Sequence, residues 1–105
     1  MPTPQLTPPY AVEIVNYKLN DGADPDAYLA LCRQVGAEFT SAQPGFLHRE
    51  IGRGEDDIWA IIVTWKTADD ARNSISNIDT IPDVVKEYMA MINRETLTRA
   101  MFDVV

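Results

Sequence analysis

The sequence predicts an α+β domain in which a four-stranded antiparallel sheet carries its helices on one face. Three observations predict it. Segments rich in β-branched and aromatic residues alternate with segments whose apolar residues recur every three to four positions, in the order strand, helix, strand, strand, helical segment, strand. Each helical segment has a single apolar stripe, so each has one surface to pack on. At 105 residues, 46% hydrophobic and 24% charged, the chain has the size and composition of one compact domain.

The elements follow from local chemistry. Residues 1–9 hold Pro2, Pro4, Pro8 and Pro9 and read as an extended arm ahead of a domain spanning 10–105. Strand one is Tyr10 to Leu19, closed by the turn signal Asn20-Asp21-Gly22. Asp24 then caps a helix whose first position is Pro25, where the missing N–H costs nothing. Tyr28, Leu31, Cys32, Val35 and Phe39 form its stripe, and Pro44-Gly45 stops the chain after Gln43, giving a helix of about four turns. Phe46 to Arg53 and Ile58 to Trp65 flank the polar turn Gly54 to Asp57 and read as a hairpin, with Arg53 opposite Ile58, His48 opposite Val63 and Phe46 opposite Trp65. Thr67 caps a short helix, and a second runs from Asp79 to Ile92 on Ile81, Val84, Val85, Tyr88, Met89 and Ile92. Thr96 to Val105 closes the chain as a strand. This order is the split β-α-β, or ferredoxin-like, plan.

Both sheet faces are apolar. In strand three Trp59, Ile61, Val63 and Trp65 alternate with Ile58, Ala60 and Ile62, and in strand one Val12 and Ile14 oppose Ala11, Val15, Tyr17 and Leu19. Helices on one side leave the other side wet, and apolar patches of that size mark interaction surfaces. The expected cover is a second copy of the chain in a two-fold homodimer.

Composition narrows the function. Sixteen acidic against nine basic residues give a formal charge of -7 with no Lys/Arg cluster, which argues against nucleic acid as a partner. No apolar run reaches the length of a membrane span, and the N-terminus lacks the pattern of a secretory signal, so a cytoplasmic location without a membrane partner is expected. Cys32 is the one cysteine and His48 the one histidine, which excludes an intrachain disulfide and a multi-histidine metal site; no metal is expected. Nucleophile-elbow, phosphate-loop, dinucleotide and zinc-protease motifs are absent from the sequence. Any chemistry therefore belongs to a pocket.

From about Val12 to Val105 the chain resembles the dimeric α/β-barrel superfamily, and within it the antibiotic-biosynthesis-monooxygenase-like group. The resemblance rests on Val15-Asn16-Tyr17, on Pro44-Gly45-Phe46 entering strand two, on Ile62-Val63-Thr64-Trp65-Lys66-Thr67 leaving strand three, and on Lys86-Glu87-Tyr88-Met89. It implies a homodimer with a small-molecule cleft in each subunit, and a cofactor-independent monooxygenase or related enzyme acting on an aromatic or conjugated substrate. The alternative is a non-catalytic small-ligand-binding or interaction module of the same fold. An open, polar-floored cavity favours the enzyme and a packed interior favours the module. The haem-degrading branch of the superfamily uses a histidine on its late helix, where this chain has Lys86-Glu87-Tyr88-Met89, so no cofactor is expected.

The expected register puts Phe46, His48, Glu50, Trp59 and Trp65 on one face. The resemblance implies that Asn16 and Trp65 line the cleft, which His48 and Glu50 then border. In the enzymatic reading Asn16 holds a carbonyl or peroxide oxygen, Trp65, Phe46 and Trp59 provide aromatic walls, and His48 or Tyr88 handles the proton, with Glu50 beside His48. Each has a plainer reading: a backbone-satisfied amide for Asn16, core packing for Trp65 and Tyr88, a surface strand position for His48. Arg49 and Arg53 fall on the opposite strand face, with Glu13 or Asp103 as candidate partners at a dimer interface or a solvated rim as the alternative. Cys32 reads as a small buried apolar residue.

Overall fold

The computed structural model describes residues 6–76 and 81–105. Most of the Pro-rich arm (residues 1–5) and the expected helix start at Asp79 lie outside the described residues. Seven elements follow one another: β1 (Tyr10–Leu19), α1 (Pro25–Glu38), β2 (Phe46–Arg53), β3 (Trp59–Trp65), α2 (Ala68–Ser76), α3 (Asp83–Ala90) and β4 (Ile92–Val104). The strands pair antiparallel in the order β2-β3-β1-β4, so the chain adopts the expected ferredoxin-like α+β fold. Among the described residues no helix is long and apolar enough to cross a membrane.

Local chemistry sets most boundaries where the sequence places them. The Asp24 carboxylate accepts from the backbone N–H groups of Asp26 and Ala27, each at 3.3 Å, and Pro25 opens α1. Thr67 Oγ1 accepts from the Asp70 N–H at 3.1 Å and caps α2. Gly45 has φ +82, and a Cβ there would lie 2.1 Å from Asp70 Oδ2, so the Pro-Gly-Phe entry to β2 needs glycine for its backbone and for the start of α2.

Three boundaries differ from expectation. First, α1 ends at Glu38, and a 3-10 turn over Thr40–Ala42 carries the chain to Pro44. Second, Ile92 belongs to β4, paired with Leu19, and not to the last helix; α3 ends at Ala90 because the two-fold demand of the sheet outweighs the three-to-four spacing that Ile92 also satisfies. Between Asn93 and Thr98 the β4 register shifts, and there Thr96 Oγ1 accepts from the Lys18 N–H at 2.8 Å. Third, Asp56 and Asp57 both adopt positive φ, so the hairpin turn takes in residues 54–58 and Arg53 pairs with Trp59. The added residue displaces β2 by one position along β3, until a bulge at Leu47 restores the pairing of Phe46 with Trp65.

The core lies between sheet and helices. Ala11, Tyr17, Tyr28, Cys32, Trp59, Ile61, Val63, Trp65, Ala71 and Ile92 are buried in one cluster. On the opposite face Val12, Ile14 and Ile62 are only partly covered, and Phe102 is 55% exposed.

Candidate functional site

A cavity of about 280 Å³ separates the sheet from the helices. Its floor is the sheet, apolar at Val15 on β1 and at Ile61, Val63 and Trp65 on β3 but with the Glu13 carboxylate among them; Val35 of α1 and Phe39 just past its end close it on one side, and Val85 and Met89 of α3 on the other. Into this apolar shell project Glu13, Arg49, Tyr17 and Tyr88.

Glu13 sits opposite Val63 on β1 and is only 6% exposed. A buried carboxylate needs partners for both oxygens, and it has them. Trp65 Nε1–H donates to Oε1 at 3.2 Å, and Arg99 Nε–H donates to Oε2 at 2.6 Å from β4. Phe46 meets the Trp65 ring edge to face, with centroids 6.1 Å apart, which holds the indole so that its N–H stays on the carboxylate.

Three phenols form the second polar group. Tyr17 on β1 hydrogen-bonds Tyr28 on α1, and lies 2.6 Å from the Tyr88 hydroxyl on α3. Each phenol owns one proton, and Tyr28 donates its own to Cys32 Sγ at 3.5 Å. Tyr17 therefore donates to Tyr28, and Tyr88 donates to Tyr17, which leaves the Tyr88 oxygen as an acceptor at the cavity. Burial raises all three pKa values: Tyr17 and Tyr28 far above the usual phenol range, and Tyr88 up to about 12, even though Arg49 pulls Tyr88 the other way.

The structure divides the residues singled out in the sequence. Trp65 and Tyr88 line the cavity. Phe46 buttresses Trp65 from the side. Trp59 is buried on the same sheet face but packs against Tyr28, 4.7 Å between centroids, with the Arg53 guanidinium 5.0 Å over its ring, away from the cavity lining. His48 and Glu50 do not share that face: the longer turn pairs His48 with Thr64 and Glu50 with Ile62, turning both to the open side of the sheet, where they bond each other at 3.0 Å. Asn16 lies on that open side too, opposite Ala60, and its amide donates to the Trp59 carbonyl at 3.4 Å. The expected grouping of His48 and Glu50 with Trp65 is thus corrected by one residue of turn length, and that of Asn16 by strand alternation, which puts it on the face of Val12 and Ile14.

The same offset moves Arg49 to the cavity side, and the partner of Glu13 is Arg99 rather than Arg49 or Arg53. Arg53 pairs instead with Asp57. Glu13, Arg99, Tyr17 and Tyr28 were not among the expected site residues. Glu13 did leave a signal, since it is the one charge on the β1 face made of Ala11, Val15, Tyr17 and Leu19. Among the described residues no three His, Cys, Asp or Glu side chains gather as a metal site.

No protein-family model matches the chain, and no curated protein matches it in sequence. Solved structures do match. A variant of SnoaB, a cofactor-independent oxygenase from Streptomyces nogalater, superposes with a TM-score of 0.70 at 17% identity, over 92% of this chain and 94% of that one. A candidate antibiotic biosynthesis monooxygenase from Nitrosomonas europaea gives 0.68 at 16% identity, over 96% and 95%. A dimeric ferredoxin-like protein from an uncultured marine organism gives 0.65 at 8% identity, over 93% and 90%. The chain has the fold of this group. At such identities the likeness is one of fold, and function has to be argued from the cavity.

Proposed function

We propose that the chain is a homodimeric small-molecule enzyme, a cofactor-independent monooxygenase or close relative, acting on an aromatic or conjugated substrate held between sheet and helices. The observation that carries this reading is the cavity: a packed interior would have left no room for a ligand, whereas here an apolar shell surrounds a carboxylate, a guanidinium and a phenol. Dimeric and oxygenase neighbours of the same fold support it. So does the open apolar sheet face, which a second copy would cover.

Without a cofactor the substrate itself must reduce dioxygen. A methylene activated by conjugation loses a proton, the carbanion gives its electrons to dioxygen, and CH2 plus O2 becomes C=O plus H2O. Two demands fall on the protein: a base for the proton, and a dry, shaped wall for the anion. Glu13 is the group for the first, held at a fixed position by Trp65 and Arg99. Trp65 supplies the flat wall, and the Tyr88 oxygen orients a substrate hydroxyl. Asn16, His48 and Glu50 have no part in this scheme, since they face away from the cavity.

The test is oxygen uptake over a panel of air-sensitive hydroxylated polycyclic aromatics, with wild type and Glu13→Gln. Turnover should fall by ~10² to 10⁴ in the variant while binding persists. Ligands that bind wild type without oxygen uptake would move the protein to the binding-module class, and unchanged turnover in the variant would remove Glu13 as the base.

A further inference from the structure

We infer that the cavity takes a flat, mostly apolar ligand that carries a carboxylate, and that Arg49 is the residue receiving that carboxylate. The inference rests on reading the cavity as a ligand site. One row of the sheet runs Arg49, Val63, Glu13 beneath the cavity, with the two charged residues two strand spacings apart, about 10 Å. The two ends of the row are satisfied differently. Glu13 has a countercharge in Arg99 and a second donor in Trp65. Arg49 touches only uncharged groups: Nη1–H donates to the Cys32 carbonyl at 2.8 Å and Nη2–H to Cys32 Sγ at 3.4 Å. Among the described residues it forms no ion pair, although the chain as a whole carries a charge of -7.

A guanidinium stays charged at any working pH, so a half-buried one without a countercharge is an unfavourable arrangement that a ligand anion would relieve. The fold makes room for it. A Cβ on Gly36 of α1 would lie 2.4 Å from Arg49 Nη1, so the helix presents its bare backbone to the guanidinium. Of the five N–H donors of arginine two are engaged, one on each Nη; Nε carries no bond, and no buried side-chain nitrogen is without a partner among the described residues, so Nε reaches open space. Nε–H and the N–H beside it on the same edge would be the parallel pair that a carboxylate takes edge on. Arg94 at the rim makes the charged lining, Arg49 and Arg94 against Glu13, net positive. The apolar body of the ligand would then lie over Val63, Ile61 and Trp65.

The experiment compares 2-naphthoate with its neutral isostere 2-naphthamide by calorimetry, on wild type, Arg49→Met and Arg49→Lys, with circular dichroism as the check on folding. Wild type should prefer the acid by about tenfold or more. The preference should vanish in Arg49→Met and return in part in Arg49→Lys. Equal affinity for acid and amide in wild type would overturn the role of Arg49 and leave the ligand-site reading standing, and this comparison needs no variant to fold. A preference that survives in folded Arg49→Met would assign the charge to another residue and likewise overturn it. Binding of neither probe would overturn the inference together with the ligand-site reading.

Discussion

The two faces of one sheet are built from neighbouring residues of the same strands, yet they solve the problem of polar groups in opposite ways. On the helix-covered face the polar side chains at the cavity find their partners on distant elements. Glu13 is held by Trp65 from β3 and Arg99 from β4, and Tyr17 by phenols from α1 and α3. On the open face His48 bonds Glu50 two residues along its own strand, and Asn16 bonds only a backbone carbonyl of the next strand, that of Trp59. Long-range partners fix a side chain only if the tertiary fold is intact, and they fix it with little freedom. Local pairs on a solvated strand do not. The covered face therefore has the rigidity a reacting group needs, and the open face has the apolar area a partner copy needs.

The largest way to break this comparison is on the open face. Ile62→Glu puts a charge at the centre of the surface assigned to the second copy. Light scattering should give twice the 11.8 kDa chain mass for wild type and a single chain mass, or aggregation, for the variant. A wild-type monomer at micromolar concentration would sink the homodimer. Next in size is Trp65→Ala on the covered face, which removes a side chain only 1% exposed and deprives Glu13 of a donor. Denaturant unfolding should show a loss of about 3–5 kcal/mol; a loss below about 1 kcal/mol would mean that the carboxylate and indole are not coupled as described.

How much of this was legible in the sequence depends on the length scale of each cause. Strand identity, helix stripes and caps are local, and Asp24-Pro25, Thr67 and Pro44-Gly45 act where they stand. The apolarity of both sheet faces was equally plain from strand three. Register is another matter. Two consecutive aspartates at positive φ lengthened the turn by one residue, and the bulge at Leu47 then concealed the shift at Phe46, so Phe46 kept its expected partner while His48 changed face. The phenol chain was invisible for a different reason: Tyr17, Tyr28 and Tyr88 come from three elements, and nothing in their spacing along the chain says that they converge.

That phenol chain sets the next prediction. Tyr17→Phe keeps the ring contacts and deletes the central hydroxyl, leaving Tyr28 without its donor and Tyr88 without its acceptor. The cost should be about 1–3 kcal/mol in denaturant unfolding, and a neutral outcome would show the chain to be incidental. The chain also gives stability a pH dependence. A phenol whose folded pKa is raised holds its proton more tightly in the folded state than in the unfolded one. Its contribution is therefore complete below the unfolded value of 10.0 and is lost as pH rises through the folded value, about 12 for Tyr88. Thermal unfolding should shift downward from pH about 10 upward in wild type, and less steeply in Tyr88→Phe. Parallel curves would remove burial of Tyr88 as the cause.

The smallest effect is expected at the residue that sequence chemistry favours most. His48 is the only histidine, it has a carboxylate beside it, and neutral-pH acid–base chemistry usually belongs to such a pair. Its partner, though, is 48% exposed in the side chain, and both groups sit on the side of the sheet away from Glu13, Arg49 and Tyr88. A proton cannot pass from the cavity to His48 without crossing the β-sheet itself. His48→Ala should therefore leave oxygen uptake and naphthoate affinity within twofold of wild type, and change stability by no more than about 0.5 kcal/mol. Any effect it has should instead appear in the concentration dependence of the dimer, because that is the face it occupies. A hundredfold fall in turnover, with the dimer intact, would place the chemistry on the open face and reverse the assignment of the two faces.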